Sequence, residues 1–187
     1  LPAEHLRYRV WDALKPNLLL DVLPSGKKVF RLYFRHNGKP RFNTIGAWGT
    51  ITLEQARALS TTQLGEAAKG IDLVDQKREA AREETHKRLL VLDTFLDEKY
   101  TPWAISNLKS GPESIKTIRR NFSWLLTTPM NKITVSALSK WQQAELKRGL
   151  KPATINRTLA TLRGVLTKAV EHGLLPSNPI TKVKDIN

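Results

Sequence analysis

Two turn signals near the N-terminus, Pro24-Ser25-Gly26 and Asn37-Gly38, divide a segment rich in aliphatic and aromatic residues into short runs. The runs are Leu18 to Leu23, Lys28 to Arg35 and Arg41 to Gly46. Asn-Gly between two such runs is typical of a tight β-hairpin, because both turn residues need a positive φ. We therefore predict a three-stranded antiparallel meander here.

A helix is predicted directly after the meander. Thr52 and Gln55 have the spacing of a capping box, and apolar residues recur at helical spacing from Leu53 to Leu64. Such a helix can cover one face of the sheet. Before the meander we predict a short helix or lead-in that ends at Pro16.

A charged segment follows, in which residues 76–88 are nearly all charged or alanine. Acidic and basic residues stand three or four positions apart, which is typical of a solvated helix. We predict a helical linker between a first domain, 1–75, and a second, 89–183. The net charge divides into +4, +2 and +8 for residues 1–75, 76–88 and 89–187.

The second half predicts helices throughout. Apolar stripes mark Leu89 to Tyr100 and Pro112 to Thr127, Thr134 caps a third helix, and Pro152 and Gly173 delimit a fourth. Residues 184–187 are predicted to begin a connector. The predicted fold class is therefore α+β: a small three-stranded antiparallel sheet packed on a helix, joined by a charged linker to an all-α four-helix bundle.

The whole chain of 187 residues has a net charge of +14, which implies an anionic partner such as nucleic acid, an anionic membrane face or an acidic protein. With 40% hydrophobic residues it is composed like a folded domain. No apolar run approaches the roughly 20 residues that cross a bilayer, so no membrane-spanning segment is predicted. A membrane surface is not among the partners that we favour. The sequence has no cysteine, which excludes disulfides and thiolate chemistry and favours a reducing compartment.

No catalytic residue, metal site or cofactor is predicted. The four histidines stand far apart, and none has metal-ligand spacing to a second ligand. Asp93 and Asp97 share a helical face without further acids, which favours a solvated face over a nuclease site. The Gly-Lys pairs lack the Ser or Thr that completes a phosphate-binding loop.

In place of a catalytic site, the residue pattern of the predicted sheet indicates a binding surface. Apolar residues at 30, 32 and 34 alternate with a row of Arg31, Tyr33 and Arg35, so a period of two sets a basic-aromatic row opposite the helix. Such a face suits duplex DNA, where Arg reaches guanine edges and Lys neutralises phosphate. The strand from Arg41 shows no clean alternation. The candidate residues are Lys27, Lys28, Arg31, Tyr33, Arg35, Lys39, Arg41 and Asn43.

The helices also predict basic faces opposite their apolar stripes. Between Lys109 and Lys168 there are twelve basic residues and two acids. Asn156, near the start of the last helix, could pair with adenine or contact phosphate. The candidate residues are Lys116, Arg119, Arg120, Asn156, Arg157, Thr161, Arg163 and Lys168.

These segments resemble a known family, the tyrosine recombinases of phages and genomic islands, or integrases. The matching residues of the first half resemble their arm-type DNA-binding domain; they are Leu20 to Lys39, Ile45-Gly46, Thr52 to Arg57 and Gly70 to Asp72. The second half is similar to their SAM-like core-binding domain; its matching residues are Leu150 to Leu159, Leu162-Arg163, Ala169 to Pro176 and Asn178-Pro179.

The resemblance implies a bacterial or phage-encoded cytoplasmic protein that binds double-stranded DNA at arm and core attachment sites, with possible self-association on DNA. Family catalysis uses a Tyr nucleophile with Arg residues, one of them within a His-x-x-Arg motif. That motif is absent from this sequence, and Tyr8, Tyr33 and Tyr100 fall inside the predicted binding domains. We expect the parent protein to be a recombinase whose catalytic domain follows, and this chain alone to be inactive.

Two alternatives stay open on the sequence. The first is a stand-alone DNA-binding regulator of recombination that is made from the same domains. The second is a basic module for RNA or an anionic membrane.

Overall fold

The computed structural model describes residues 6–187. They form two compact units divided between Arg82 and Glu83, named below the sheet unit and the helical unit. Residues 1–5 of the predicted first domain and lead-in lie outside the described part of the chain. The predicted limits of the domains and linker stay predictions.

The sheet unit is built on a four-stranded antiparallel meander in the order β1-β2-β3-β4. The strands are β1 (Tyr8–Trp11), β2 (Leu18–Val22), β3 (Lys28–His36) and β4 (Lys39–Ala47). The α+β class is confirmed, but the predicted three-stranded sheet is wrong by one strand. β1 lies where a short helix or lead-in was expected, because pairing with β2 decides the conformation of a segment too short to signal it alone.

The Asn-Gly signal forms the hairpin between β3 and β4. Asn37 and Gly38 have φ of 48° and 74°, and the flanking His36 and Lys39 are paired. Both values belong to the tight turn whose twist matches that of the strands. The strand register shifts between Phe30 and Arg31, so a bulge bends this pair of strands.

Helix α1 (Leu53–Ala68) begins at the predicted capping box. The Gln55 backbone N–H donates to Thr52 Oγ1 at 3.2 Å, and the Thr52 N–H donates to Gln55 Oε1 at 2.9 Å. Its buried Ala56 packs against Leu18 and Phe30 of the sheet. The small side chain lets the helix lie close to the strands.

Helix α2 (Leu73–Leu89) follows after one short turn. The Asp72 carboxylate accepts the Val74 backbone N–H at 3.0 Å, which satisfies one of the free donors at this helix start. Leu73 is buried against Leu32 and Phe34, whereas residues 75–88 are all exposed. Only the first turn of α2 therefore contributes to the core of the sheet unit.

The helical unit differs in detail from the predicted four-helix bundle. Helix α3 continues through a π-helical turn into α4, and two short 3₁₀ turns follow α5. The bounds are α3 (Leu92–Phe95), the π turn (Leu96–Tyr100), α4 (Thr101–Asn107), α5 (Gly111–Asn121), the 3₁₀ turns (Ser123–Leu125 and Met130–Lys132), α6 (Val135–Lys147) and α7 (Pro152–Glu171).

Pro102 explains the first departure. A proline inside a helix lacks an N–H and its ring clashes with the carbonyl four residues earlier. The wider π turn of residues 96–100 precedes Pro102 and lets the helix continue to Asn107, beyond the predicted end at Tyr100.

The last two helices have the predicted ends. Thr134 Oγ1 accepts the Ala137 N–H at 3.2 Å at the start of α6. Pro152 occupies the first turn of α7, and Gly173, with φ of 69°, follows its end. No helix among residues 6–187 is long and apolar enough to cross a membrane.

Helices α4 and α5 approach each other closely at Gly111, which is buried. A Cβ at this position would lie 2.2 Å from the carbonyl oxygen of Ala104. Gly111→Ala should therefore lower the stability of the helical unit by about 1–3 kcal/mol, the usual range for an overpacked site. Thermal unfolding, with hydrogen exchange of α4 and α5, measures the loss.

Gly164 provides the matched control, because it is exposed in α7 and a Cβ there would meet nothing within 4 Å. Gly164→Ala should raise stability by up to about 1 kcal/mol through helix propensity. Equal stability of the two variants would show that the approach at Gly111 does not constrain the packing.

Candidate nucleic-acid interface

One face of the sheet, the open face, lies opposite the face on which α1 and the first turn of α2 pack. Phe30, Leu32 and Phe34 of β3 are buried on the helix side, as the period of two predicted. Arg31, Tyr33 and Arg35 therefore lie on the open face. Strand pairing adds residues of β1, β2 and β4 to that face; they are Arg9, Trp11, Leu19, Asp21, Phe42 and Thr44.

A fully buried carboxylate, that of Asp21, lies among three arginines of this unit. Arg7 donates from Nε to Oδ1 at 2.9 Å and from Nη2 to Oδ2 at 2.5 Å. The Nε atoms of Arg31 and Arg9 lie 3.2 Å and 4.0 Å from the same carboxylate. The hydrogen bond from Arg7 and the nearby arginine charges hold the pKa of the Asp21 carboxyl below its usual range, despite its burial. Asp21 is therefore ionised at neutral pH.

Aromatic side chains extend this basic cluster across the open face. The ring centroids of Trp11 and Tyr33 are 5.8 Å apart, and those of Tyr33 and Phe42 are 5.3 Å apart. The Arg9 guanidinium carbon lies 4.3 Å from the Phe42 ring centroid, a cation–π contact. The face thus offers flat guanidinium and aromatic groups held in fixed positions.

Sequence reasoning missed Arg7, Arg9 and Trp11 because β1 was not predicted. The alternation of Tyr8-Arg9-Val10-Trp11 is a period-two signal, although four residues carry little weight. Asp21 was a stronger signal. A lone acid within a leucine-rich strand requires a cationic partner if that strand is buried.

Lysines lie at the two turns that bound β3. In the strand register Lys28 pairs with Val22 and Lys39 with His36, so the pleat sets both on the helix side at the ends of the sheet. Lys27 and Lys28 lie at the β2–β3 turn, and Lys39 lies at the β3–β4 turn. These lysines and Arg35 are exposed, and none makes an ion pair with another residue in the described range. Their charges remain available to an anion such as phosphate.

Two predicted site residues of β4 lie on the other side of the sheet. Arg41 pairs with Phe34 in the strand register, and its Nε lies 3.0 Å from Asp72 Oδ2 at the start of α2. Asn43 is buried and donates to Gln63 of α1 at 3.0 Å. The structure therefore separates both residues from the open face, because the pleat points them towards the helices.

In the helical unit, three of the predicted cations are exposed. Lys116 and Arg120 lie one turn apart on α5, and Arg157 lies on α7. None of them makes an ion pair within residues 6–187. Arg119 is different, since it donates to Asp93 at 2.7 Å and to Asp97 at 2.5 Å. Asp93 and Asp97, which lie on one helical face in the sequence pattern, therefore serve as the two partners of Arg119.

The remaining predicted residues of α7 contact the protein itself. Arg163 donates to Asp185 at 2.9 Å and also to the Val183 carbonyl. Lys168 Nζ lies 3.9 Å from the Trp103 ring centroid and donates to Glu171 at 2.6 Å. Thr161 donates to the Arg157 carbonyl at 3.1 Å.

Asn156, predicted as a contact to adenine or phosphate, binds the C-terminal segment in the structure. Its Nδ2 donates to the Ile186 carbonyl at 2.8 Å, and its Oδ1 accepts the Ile186 N–H at 3.0 Å. Gln142 donates to the Lys184 carbonyl at 3.0 Å, and Val183 is buried in the core. Residues 184–187, predicted as the start of a connector, are therefore attached to α6 and α7.

The groups brought together suit binding to a polyanion. Among the described residues there is no cluster of three or more His, Asp or Glu that could hold a metal ion. His5 lies outside those residues. The chemistry available on the open face is that of hydrogen-bond donors, positive charge and aromatic surface.

Asn156→Ala should loosen the C-terminal segment, because both backbone groups of Ile186 lose their partner. We expect a loss of about 1–3 kcal/mol in the stability of the helical unit and faster hydrogen exchange at residues 183–187. The control is Arg157→Ala, one residue away and exposed, which should leave that exchange unchanged. Unchanged hydrogen exchange at residues 183–187 in Asn156→Ala would show that Asn156 does not hold the C-terminal segment in place.

The chain is 37% identical over 71 residues to prophage integrase IntZ of Escherichia coli (strain K12), which covers 38% of this chain and 18% of that protein. It is 30% identical over 98 residues to the integrase of Shigella phage Sf6, with 52% and 24% covered. It is 25% identical over 166 residues to the putative protein IntB of Escherichia coli (strain K12), with 86% and 40% covered.

The chain thus spans less than half the length of each of these relatives. Residues 2–80, which include the whole meander and α1, match the family described as Arm DNA-binding domain. The match covers the open face with its arginines and aromatic rings. Residues 2–80 are therefore similar to the arm DNA-binding domain family, and the chain is similar to prophage and phage integrases.

Proposed function

We propose that this chain is the DNA-binding portion of a site-specific integrase of the tyrosine recombinase family. In this proposal the sheet unit binds arm sites through its open face, and the helical unit binds core sites. The protein would mediate DNA integration and recombination of a prophage or other mobile element in the bacterial cytoplasm. The observation that carries the proposal is the basic, aromatic open face within a segment similar to the arm DNA-binding domain family.

The composition of the open face supports binding in a major groove. A two-stranded antiparallel ribbon fits that groove, and the β3–β4 hairpin, whose strand β3 carries Arg31 and Arg35, is such a ribbon. The nine residues of β3 span roughly 27 Å, so the turn lysines at its two ends can reach phosphates on either side. Base contacts would come from the centre of the face and backbone contacts from its ends.

Core-site binding is assigned to the exposed cations of the helical unit. Lys116 and Arg120 on α5 and Arg157 on α7 carry charge that no acid within the described residues neutralises. Arg119, Asn156, Thr161, Arg163 and Lys168 are left out of this proposed surface, because they bind groups of the protein itself. Three of the eight residues that the sequence proposed on these helices remain.

These residues bind DNA in the proposal and do not cleave it. Tyr100 is buried with its hydroxyl 3.3 Å from Ser114 Oγ, and Tyr33 lies within the aromatic row. No His-x-x-Arg motif occurs in the sequence. We assign strand cleavage and rejoining to a catalytic domain of the parent integrase.

The test begins with selection of binding sites from a pool of randomised DNA duplexes. We expect the chain to enrich two unrelated sequences, one for each unit, with affinity that falls steeply as salt rises. Arg31→Ala with Arg35→Ala should weaken binding to one sequence by about tenfold or more and leave the other within about twofold. Lys116→Ala with Arg120→Ala, or Arg157→Ala alone, should do the reverse.

A variant with the same loss of charge controls for electrostatics. Arg78→Ala with Arg82→Ala removes two exposed arginines from α2, which within residues 6–187 pair with Asp75 and Glu79 alone. It should affect both sequences slightly and equally. Enrichment of no sequence, or equal competition by duplex RNA, would contradict a DNA-site reader and favour the RNA-binding alternative.

A further inference from the structure

The three arginines around Asp21 do not share its carboxylate equally. Arg7 forms a bidentate pair with it, donating from Nε to Oδ1 at 2.9 Å and from Nη2 to Oδ2 at 2.5 Å. Arg9 and Arg31 approach only within 4.0 Å and 3.2 Å, and neither side chain makes a hydrogen bond within residues 6–187. The Nε of Arg31 is buried without a hydrogen-bond partner in that range. Arg7 is thus bound, whereas Arg9 and Arg31 keep unused donors.

The carboxylate makes this arrangement possible. Three guanidinium groups within a few ångströms of one another repel, and exposed arginines would otherwise move apart into solvent. Asp21 is fully buried between them and cannot follow them outward. The attraction to a fixed negative charge therefore holds Arg9 and Arg31 close together on the open face, with Arg9 also lying over Phe42.

Held in this way, two planar forks face the same side of the sheet. A guanidinium donates two parallel hydrogen bonds to the O6 and N7 acceptors of guanine, and its geometry decides which base it can accept. Restricting the two side chains before binding also lowers the entropy lost on contact.

We infer that Asp21 is a positioning residue for DNA recognition, which orients Arg9 and Arg31 to read base edges. The inference rests on the proposed function of the open face. Asp21 itself touches no DNA in this account, because it is buried beneath the arginines. Its effect passes through their orientation.

The sign of the expected effect separates this role from simple electrostatics. Asp21→Asn raises the net charge by one, so binding to unrelated DNA should stay equal or become tighter. Binding to the selected sequence should lose its advantage, because Arg9 and Arg31 are no longer held. The ratio of the two affinities should therefore fall by about fivefold or more.

The chain offers a matched control in a second buried acid of the same unit. Asp12 accepts from Arg57 of α1 at 2.7 Å and 3.1 Å, and also from the backbone N–H groups of Leu14 and Lys15. This pair involves α1, on the helix side of the sheet. Asp12→Asn removes a comparable ion pair and should leave the affinity ratio within about twofold of the unaltered chain.

The experiment measures affinity of the full chain for the duplex selected by the sheet unit and for a shuffled duplex of equal length. An unchanged ratio in Asp21→Asn, or an equal fall in Asp12→Asn, would overturn the inference while the proposed function stands. If the unaltered chain itself shows no preference, the proposed function fails and the inference fails with it.

A second pair of variants applies if Asp21→Asn does not fold. Arg9→Lys with Arg31→Lys keeps the charge and the attraction to Asp21 but removes the forks. The affinity ratio should fall while binding to the shuffled duplex stays constant. Arg57→Lys is the control. A constant ratio in the double lysine variant would overturn the inference.

Discussion

The architecture of the sheet unit depends on one buried ion cluster. Asp21 lies in the leucine-rich strand β2 with no exposed surface, and an unpaired charge there would cost several kcal/mol. Arg7 directly precedes β1, Arg9 lies in β1 and Arg31 lies in β3. The ion pairs with Asp21 therefore connect segments that are distant in sequence. The need to stabilise this carboxylate thereby concentrates positive charge on the open face, opposite α1.

The same principle divides the basic residues of the whole chain into two classes. Some cations serve the fold: Arg41 binds the start of α2, Arg119 bridges two aspartates, and Arg163 holds the C-terminal segment. Others, such as Arg35 and Arg157, are exposed and form no ion pair with an acid among the described residues. The 31 Lys and Arg residues of the sequence therefore outnumber the cations that are free to contact DNA, because several of them already pair with acids of the protein itself.

Elements with strong local signals were predictable. Asn37-Gly38 formed its hairpin and Thr52 its capping box, because these conformations depend on residues within a few positions of one another. β1 was missed because its conformation depends on pairing with β2. The helix through Pro102 was predicted to end too early, because a π turn allows it to continue.

The sequence by itself determined the α+β class, the period-two face of β3 and the resemblance to integrases, since composition, alternation and turn residues are properties of neighbouring positions. Only the tertiary structure decided which polar residues are free to bind. Asn156 and Arg163 were predicted as DNA contacts, but in the structure both donate hydrogen bonds to the C-terminal segment. Arg9 lies on the open face because β1 pairs with β2. The reason is physical: a charge or amide binds whatever partner the fold brings within about 3 Å, and the sequence pattern cannot show which partner that is.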